Sequence, residues 1–275
     1  LNAISNPVAI ALEATRQVRK FNLSSFNYIE YAFTPDLKFK STLSANYLNQ
    51  KNNNFNPKIT VNRDTGKING SEKDILAYDL QQENYLTYNK KFGKHTVSGL
   101  IGMSNQMWQA ETGQYFASEF NNEYIQTFYN VKTYDLSKTG TANASHSLSS
   151  YFARATYDYQ SKYLLAATFR RDGSSRFGSD KTWGDFPSVS AGWRISNENF
   201  IKKILPSAVS ELKLRASYAV TGNERIGDYD ALLLYVPGFY YNGINGIAPV
   251  NQMANNELGW ESTKSVNYGV DLSLF

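Results

Sequence analysis

Charged side chains at alternating positions are the first residues of this sequence to consider for chemistry. Seven of them lie in segments with the pattern of β-strands: Arg154, Asp158, Arg170, Arg194, Lys213, Arg215 and Asp271. Successive residues of a strand point to opposite faces of the sheet, so this spacing places the seven charges on a polar face that suits a watery interior. Two interpretations stay open. The charges contact a solute or a domain inside that space, or they are the ordinary polar filling of its wall.

Catalysis and metal binding find little support in the sequence. The two histidines, His95 and His146, lie in a tight turn and in a polar loop without a nearby ligand or nucleophile, so we expect both to be solvated surface residues. The run Asp172–Ser175 resembles a metal loop, but a turn needs the same residues and is the favoured interpretation. The absence of cysteine excludes thiol catalysis, disulfides and cysteine-based zinc sites. We therefore expect no enzymatic activity and no cofactor.

The elements that position these side chains follow from a period of two in hydrophobicity. In 212–220, apolar or aromatic residues alternate with Lys213, Arg215 and small residues, and the same alternation recurs in 151–159, 189–195 and 266–275. Nine strands are predicted, near 22–34, 37–50, 76–91, 96–112, 148–159, 163–172, 186–196, 212–221 and 262–275. Many exceed the 5–6 residues usual in soluble sheets and reach the 9–11 that a membrane-crossing strand needs.

The connections between these strands alternate in length. Short turns are predicted at 34–37, 92–95 and 159–162, and long polar loops near 51–75, 113–147, 173–185 and 222–261. Short periplasmic turns and long extracellular loops are typical of outer-membrane barrels. The connection 197–211 departs from the short turns and should contain one or two helical turns that end at Pro206. Another helical turn is expected near 8–15.

Composition limits the remaining function classes. The chain of 275 residues is 41% hydrophobic and 15% aromatic, with 20 Tyr and 16 Phe. Its mean hydropathy of -0.47 and the lack of an apolar run of about 20 residues exclude a transmembrane helix. A net charge of +4 with scattered Lys and Arg does not indicate nucleic-acid binding. Composition alone leaves a soluble all-β protein and a membrane barrel equally open.

Specific strings in the second half of the chain decide between these classes. They include Arg170–Gly178 (RRDGSSRFG) and Trp183–Trp193 (WGDFPSVSAGW), and the set is completed by Ser150–Tyr157, Lys162–Leu165, Leu212–Tyr218, Thr221–Asn223, Ile226–Tyr229, Leu258–Thr263 and Asn267–Leu272. Their order and spacing resemble the barrel of SusC/RagA-family TonB-dependent transporters of the Bacteroidota outer membrane. The resemblance is dense over 148–275 and looser over 1–147.

The resemblance implies an all-β, antiparallel barrel of roughly 22 strands that imports oligosaccharides or peptides. It also implies a SusD-like surface lipoprotein as a lid and the TonB-ExbB-ExbD complex as the energy source. Because no plug domain, N-terminal domain or TonB box is recognisable, we expect residues 1–275 to be a partial barrel domain whose last strands lie beyond Phe275.

Aromatic residues of the long loop 222–261 are further candidates for binding: Tyr229, Tyr235, Phe239, Tyr240, Tyr241 and Trp260. Aromatic faces stack on sugar rings and pack against partner proteins. Three roles stay open, in order of preference: holding the long loop together, contacting the lid, and contacting the substrate. The rival function is a secreted or surface β-rich adhesin or glycan-binding module without transport, which should stay soluble and monodisperse without detergent.

Overall fold

A computed structural model describes residues 7–60, 66–202, 204–206 and 208–274. It contains one α-helix, α1 (Pro7–Glu13), and twelve strands: β1 (Thr15–Ala32), β2 (Leu37–Asn56), β3 (Asn69–Phe92), β4 (His95–Phe120), β5 (Val131–Tyr134), β6 (Gly140–Tyr159), β7 (Tyr163–Ser174), β8 (Trp183–Arg194), β9 (Val209–Asn223), β10 (Tyr235–Tyr241), β11 (Ile244–Pro249) and β12 (Glu261–Leu274). Short 3₁₀ turns lie at Lys58–Thr60, Phe128–Asn130 and Ile195–Asn197. In the described part of the chain, no helix has the length and apolarity to cross a membrane.

Nine strands follow one another in a single meandering sheet with the order β1-β2-β3-β4-β6-β7-β8-β9-β12. Strand β5 pairs with the end of β4, and β10 pairs with β11 in a separate hairpin. The nine predicted strands are therefore confirmed, and most are longer than predicted. Strands β3 and β4 reach 24 and 26 residues, which is well beyond the 9–11 residues that cross a bilayer.

Short turns join neighbouring strands at one end of the sheet, as the sequence predicts. In the turn between β6 and β7, Gln160 and Ser161 have φ angles of 51° and 55°, the sign required at both central residues of a type I′ turn. Asp158 stabilises this unusual backbone, because its carboxylate accepts the Ser161 N–H at 2.6 Å. Gly93 supplies the positive φ of 58° in the turn between β3 and β4.

By its internal contacts the chain divides into two compact units. The first comprises residues 1–25, 44–80 and 108–145, and its core is a cluster of Phe55, Ala117 and Phe120. The rings of Phe55 and Phe120 meet edge to face at 5.1 Å, and Phe128 packs on Phe120 at 5.8 Å. These aromatic residues explain why β2 and β4 continue far past the predicted ends.

The second unit comprises residues 26–43, 81–107 and 146–275 and contains the candidate site. The registers of β6 to β9 and β12 are continuous and antiparallel. Exposure along β8 alternates residue by residue from Trp183 to Arg194. The odd-numbered side chains of β8 are therefore more exposed than the even-numbered ones.

Candidate functional site

Strands β9 and β12 separate apolar from charged residues on the two faces of the sheet. Leu214 lies directly opposite Val270, and both side chains are exposed. The preceding residue on β9, Lys213, lies opposite Asp271 on the other face, where their charged groups are 3.4 Å apart. An exposed apolar face opposite a charged face is the arrangement of a barrel wall between lipid and water.

Two rows of stacked aromatic rings border the apolar face. Tyr151 stacks on Trp183 at 6.0 Å, and Tyr163 stacks on Trp193 at 6.5 Å. The second row continues to Tyr159, whose ring lies 6.2 Å from that of Tyr163. The two tryptophans are separated by about 33 Å along β8 at about 3.3 Å per residue. With a strand tilt of about 40°, the rows are about 25 Å apart in height, which equals the apolar band of a transmembrane barrel.

The opposite face contains all seven charged residues predicted to line a lumen, and the strand registers place them on that one face. Near the end of β7 that leads into the long loop, Arg170 donates from Nε to both carboxylate oxygens of Asp172 at 2.7 and 2.8 Å. Its Nη2 donates to Ser150 Oγ at 2.9 Å, while its guanidinium lies 5.8 Å from the ring of Phe152. Arg154 is exposed and has no side-chain partner among the described residues.

Near the short-turn end, the charged residues of this face are tied to the turn backbone. Arg194 donates to Glu211 Oε1 at 2.8 Å and to the carbonyl of Ser161 at 3.1 Å. Asp158 accepts the N–H of that same serine. The face assignment of these residues is confirmed, and their contact with a solute or with a domain inside the lumen stays a prediction.

A cavity of about 580 Å³ lies in the second unit, and the lower half of the charged face contributes to it. The polar side chains on its wall include Thr156, Asp158, Lys213, Arg215 and Asn267. Asp158, Lys213 and Arg215 line this cavity together with apolar residues such as Leu164 and Leu165, so its wall is mixed in polarity.

The carboxylate of Glu198, in the connection after β8, hydrogen-bonds to Trp193 of the aromatic row at the short-turn end. Glu198 accepts a hydrogen bond from Lys162 Nζ at 2.9 Å and one from Trp193 Nε1 at 3.3 Å. The hydrogen bond from Lys162, followed by one from Tyr163, lowers the pKa of Glu198 below its ordinary value. The connection is built from Ile195–Asn197 and further hydrogen-bonded turns up to Pro206, as predicted for this segment.

The predicted loop aromatics divide into packed and exposed residues. Trp260 packs between Phe177 and Phe186 at 4.9 and 5.1 Å, and its Nε1 donates to the carbonyl of Thr182 at 3.0 Å. This geometry favours the role of holding the loop together. Tyr240 is 75% exposed and Tyr235 is also exposed, whereas the carbonyl of Tyr229 accepts a bond from Gln252. The side chains of Phe239 and Tyr241 lie outside the described residues.

The exposed aromatics belong to a hairpin that the sequence prediction missed. Strands β10 and β11 pair around Asn242 and Gly243, whose φ angles of 49° and 75° fit a type I′ turn. An Asn-Gly pair between hydrophobic runs is the strongest short-range hairpin signal, so this element could have been found. At the base of the hairpin, the side-chain amide of Gln252 donates to three carbonyls, those of Tyr229, Asp230 and Leu232.

A partly buried ionic cluster is the second feature that the prediction missed. His146 Nδ1 lies 3.1 Å from Asp228 Oδ1, and Arg176 Nε donates to the same oxygen at 2.8 Å. The expectation that His146 is a solvated surface residue is therefore wrong, because its side chain is only 19% exposed and contacts both Asp228 and Arg176. His95 is exposed as expected, although its ring also contacts Tyr157 Oη at 2.7 Å.

The segment Asp172–Ser175 also differs from the prediction. Strand β7 continues to Ser174, so a turn begins only after it, and Gly173 is part of the strand. A Cβ atom at Gly173 would lie 2.8 Å from the ring of Trp183, which covers this position. Close approach of the indole, rather than a positive φ angle, therefore explains the glycine.

Comparison with known proteins gives this architecture a family. Residues 5–275 match the family model described as TonB dependent receptor-like, beta-barrel. The chain belongs to the TonB-dependent receptor barrel family. It is 56% identical over 274 residues to TonB-dependent receptor P39 of Formosa agariphila, covering 99% of this chain and 26% of the relative. It is 32% identical over 285 residues to TonB-dependent receptor SusC of Bacteroides thetaiotaomicron, covering 98% of this chain and 27% of the relative.

A solved structure supports the same fold. The closed-closed state of the RagAB peptide importer superposes with a TM-score of 0.83 at 21% identity, covering 96% of this chain and 29% of that chain. The chain thus spans about a quarter of the length of the receptors it matches. It is an outer-membrane β-barrel segment of SusC/RagA type, and the predicted fold, family and location are confirmed.

Proposed function

We propose that this receptor barrel imports a nutrient, an oligosaccharide or a peptide, across the outer membrane. The observation that carries the proposal is the separation of faces beyond the outward Arg171–Asp185 pair. From Pro187 to Trp193, the outward positions of β8 and their register partners on β7 and β9 are apolar or aromatic, whereas the charges lie on the inward face. The outward residues suit lipid, and the inward charges suit a watery path. Residues 1–275 would be one part of the barrel domain, and transport rather than catalysis would be the role of the whole protein.

We further propose that energy comes from the TonB-ExbB-ExbD complex and that a SusD-like surface lipoprotein forms a lid. The similarity to SusC supports a lid of this kind, and the solved RagAB neighbour is described as a peptide importer. TonB dependence is the property for which the matched receptors are named. The substrate class stays open between glycan and peptide.

The hairpin β10–β11 offers the surface that best fits such a lid. The segment 232–250 contains no charged residue. Within it, the side chains of Tyr240, Ile244 and Ile247 are 75%, 71% and 68% exposed. A two-stranded hairpin is marginal in water on its own, and aliphatic side chains gain little from a sugar ring. A protein partner is therefore the better occupant for this hairpin than the solute.

Uptake measurements in cells test the import proposal. We expect deletion of the full-length gene to abolish uptake of one class, labelled oligosaccharides or labelled peptides, and expect a protonophore to have the same effect in wild-type cells. Unchanged uptake of both classes after deletion would contradict the proposal.

Co-purification tests the lid separately. Ile244→Ser combined with Tyr240→Ser should weaken recovery of a SusD-like lipoprotein with the full-length receptor. Met253→Ser is the matched control, because Met253 is 88% exposed and lies outside the hairpin. Equal recovery with both variants would remove the hairpin from the lid interface.

The rival function, a secreted glycan-binding module, leads to a different expectation for behaviour without detergent. Such a module would stay monodisperse without detergent, whereas a barrel that exposes an apolar band to lipid would aggregate. Size-exclusion chromatography of the full-length protein with and without detergent separates the two. Family membership and the two-faced sheet favour the transporter.

A further inference from the structure

Arg215 occupies an unusual place on the charged face, because both of its register partners are glycines. Gly192 on β8 and Gly269 on β12 lie directly opposite it. A Cβ atom on Gly269 would lie 2.6 Å from Arg215 Nε, so the side chain folds over that glycine. In this position Nε lies 3.3 Å from Asp271 Oδ1. Gly269 therefore leaves room for the arginine to lie across β12, whereas the side chains of Lys213 and Leu164 lie over Gly192 on β8.

Arg215 and Gly192 both line the cavity of about 580 Å³ described above. Four polar side chains of the same face contribute to its wall: Thr156, Ser190, Ser217 and Asn267. Within the described residues, none of the four makes a side-chain hydrogen bond to protein. The cavity therefore presents several free donors beside the exposed cation of Arg215.

The charges at this place are incompletely matched. Lys213 and Arg215 share one carboxylate, Asp271, at 3.4 and 3.3 Å. Neither cation makes a well-formed hydrogen bond to any described residue, and Asp158 at the edge is already bound to the turn backbone. Asp158 keeps its negative charge, but it lies on β6, three strands away from Arg215 on β9. Close to Arg215, two cations with one shared carboxylate leave about one positive charge and most of the guanidinium donors available.

We propose that this cavity binds a carboxylate group, with Arg215 as the bidentate donor and Lys213 as the second cation. A planar guanidinium fork matches a carboxylate in shape, and one uncompensated positive charge matches its single negative charge. Ser190, Ser217 and Thr156 would donate further hydrogen bonds. The inference rests on the proposed function, because that function places this face inside a lumen.

The carboxylate has two possible sources with the same chemistry. It belongs either to another segment of the full-length receptor that enters the lumen, or to an acidic solute on its way through. The two sources are separated by chemical cross-linking in the absence of solute and by binding of a defined acidic probe.

Carbodiimide cross-linking of purified full-length receptor tests the internal source. The reagent joins Lys213 to a carboxylate within contact distance, and peptide mass spectrometry identifies the partner. A cross-link from Lys213 to an Asp or Glu outside residues 1–275, reduced at least several-fold in Arg215→Gln, is the expected result for this source. This readout needs no uptake, so its failure is distinct from failure of the import proposal.

Binding of triglutamate to the same receptor, compared with triglutamine, tests the solute source. Arg215→Gln should weaken triglutamate binding about tenfold or more, as expected for loss of a charged hydrogen-bonded pair. Arg215→Lys should restore part of it, and triglutamine binding should not change. Lys264→Gln is the charge-matched control, since Lys264 lies opposite Val220 on the outward face. Heat-modifiable migration verifies assembly of each variant.

Two results together overturn the proposal: Lys213 cross-links only to Asp271, and Arg215→Gln leaves triglutamate binding unchanged. A cross-link outside the barrel segment assigns the site to an internal carboxylate. A selective loss of triglutamate binding assigns it to the solute.

Discussion

Trp183 and Trp193 lie on the same face near the two ends of strand β8, and each ring stacks on a tyrosine of another strand. Their separation of about 33 Å along a tilted strand corresponds to a height of about 25 Å. Indole and phenol rings with polar tips prefer the level of the lipid headgroups. We therefore expect the two tryptophans to mark the two surfaces of the membrane on this wall, with the Arg171–Asp185 pair of the outward face close to the level of Trp183.

An arginine midway between these tryptophans should be costly. Val189 lies on the outward face between them and is 53% exposed. We expect Val189→Arg in the full-length receptor to destabilise the barrel by about 2–4 kcal/mol. Leu214→Arg should cost less, about 0–1 kcal/mol, because Leu214 lies opposite Trp193 at the interface. Heat-modifiable migration on gels measures assembly.

The matched control for this prediction is the next residue. Ser190→Arg places the same charge on the inward face, where water or polar groups can surround it, and assembly should proceed. Equal damage from Val189→Arg and Ser190→Arg would show that the two faces are not lipid and lumen.

Sidedness of the loops provides a second prediction. Residues 1–275 contain no cysteine, so a labelled peptide from this segment reports only on the cysteine that was introduced there. Tyr124→Cys and Met253→Cys lie at positions that are 95% and 88% exposed in long loops, and both should react with an impermeant maleimide on intact cells. Gly93→Cys and Asp36→Cys in the short turns should react only after the outer membrane is opened. Labelling in the reverse pattern would invert the topology.

How far the sequence predicts this fold depends on whether local pattern or distant contact decides each part. Odd and even sequence positions were sufficient to place Lys213, Arg215 and Asp271 on one face, because successive side chains of a strand point to opposite faces whatever its neighbours are. It could not predict where β2 and β4 end, since those ends depend on the packing of Phe55 against Phe120.

The polar clusters show the same limit. Arg176 and Asp228 are 52 residues apart in the chain, and no local pattern joins them or brings His146 to the same carboxylate. The hairpin is a different case, because Asn242 followed by Gly243 was a readable signal within a loop considered only for its aromatic residues.

The loop between β7 and β8 contacts the segment before β12 at Gly178, where there is no room for a side chain. The N–H of Gly178 donates to Leu258 O at 2.9 Å, and a Cβ atom at Gly178 would overlap the backbone carbonyl of Asn256. We expect Gly178→Ala to loosen the loop by about 1–3 kcal/mol, as overpacking does, and limited proteolysis should then cleave near 175–182 or 255–260. Gly140→Ala is the control, because a Cβ atom there meets nothing within 4 Å. The idea fails if both variants resist protease equally.

From the lowered pKa of Glu198 we predict that the stability of the protein depends on pH. Hydrogen bonds from Lys162 and Tyr163 hold the pKa of Glu198 below its ordinary value of 4.5. A lowered pKa in the folded state adds stability above the unfolded-state pKa, and this stability is lost as the pH falls through the folded-state pKa. Glu198→Gln should therefore lower the unfolding temperature at pH 7, and this difference should shrink steadily as the pH falls below 4.5. A difference that is constant between pH 7 and pH 3 would contradict this role.

Cysteine scanning of β8 in the full-length receptor tests most directly whether this chain is a membrane-spanning wall. Single cysteines at 187–191 would be treated in cells with a lipid-soluble and with a water-soluble maleimide. The structure predicts strict alternation: Ser188→Cys and Ser190→Cys, which face water, react with the water-soluble reagent, whereas Pro187→Cys, Val189→Cys and Ala191→Cys resist both reagents, because lipid disfavours the reactive thiolate. Uniform reaction with the water-soluble reagent at all five positions would contradict the barrel wall and, with it, the proposed transport.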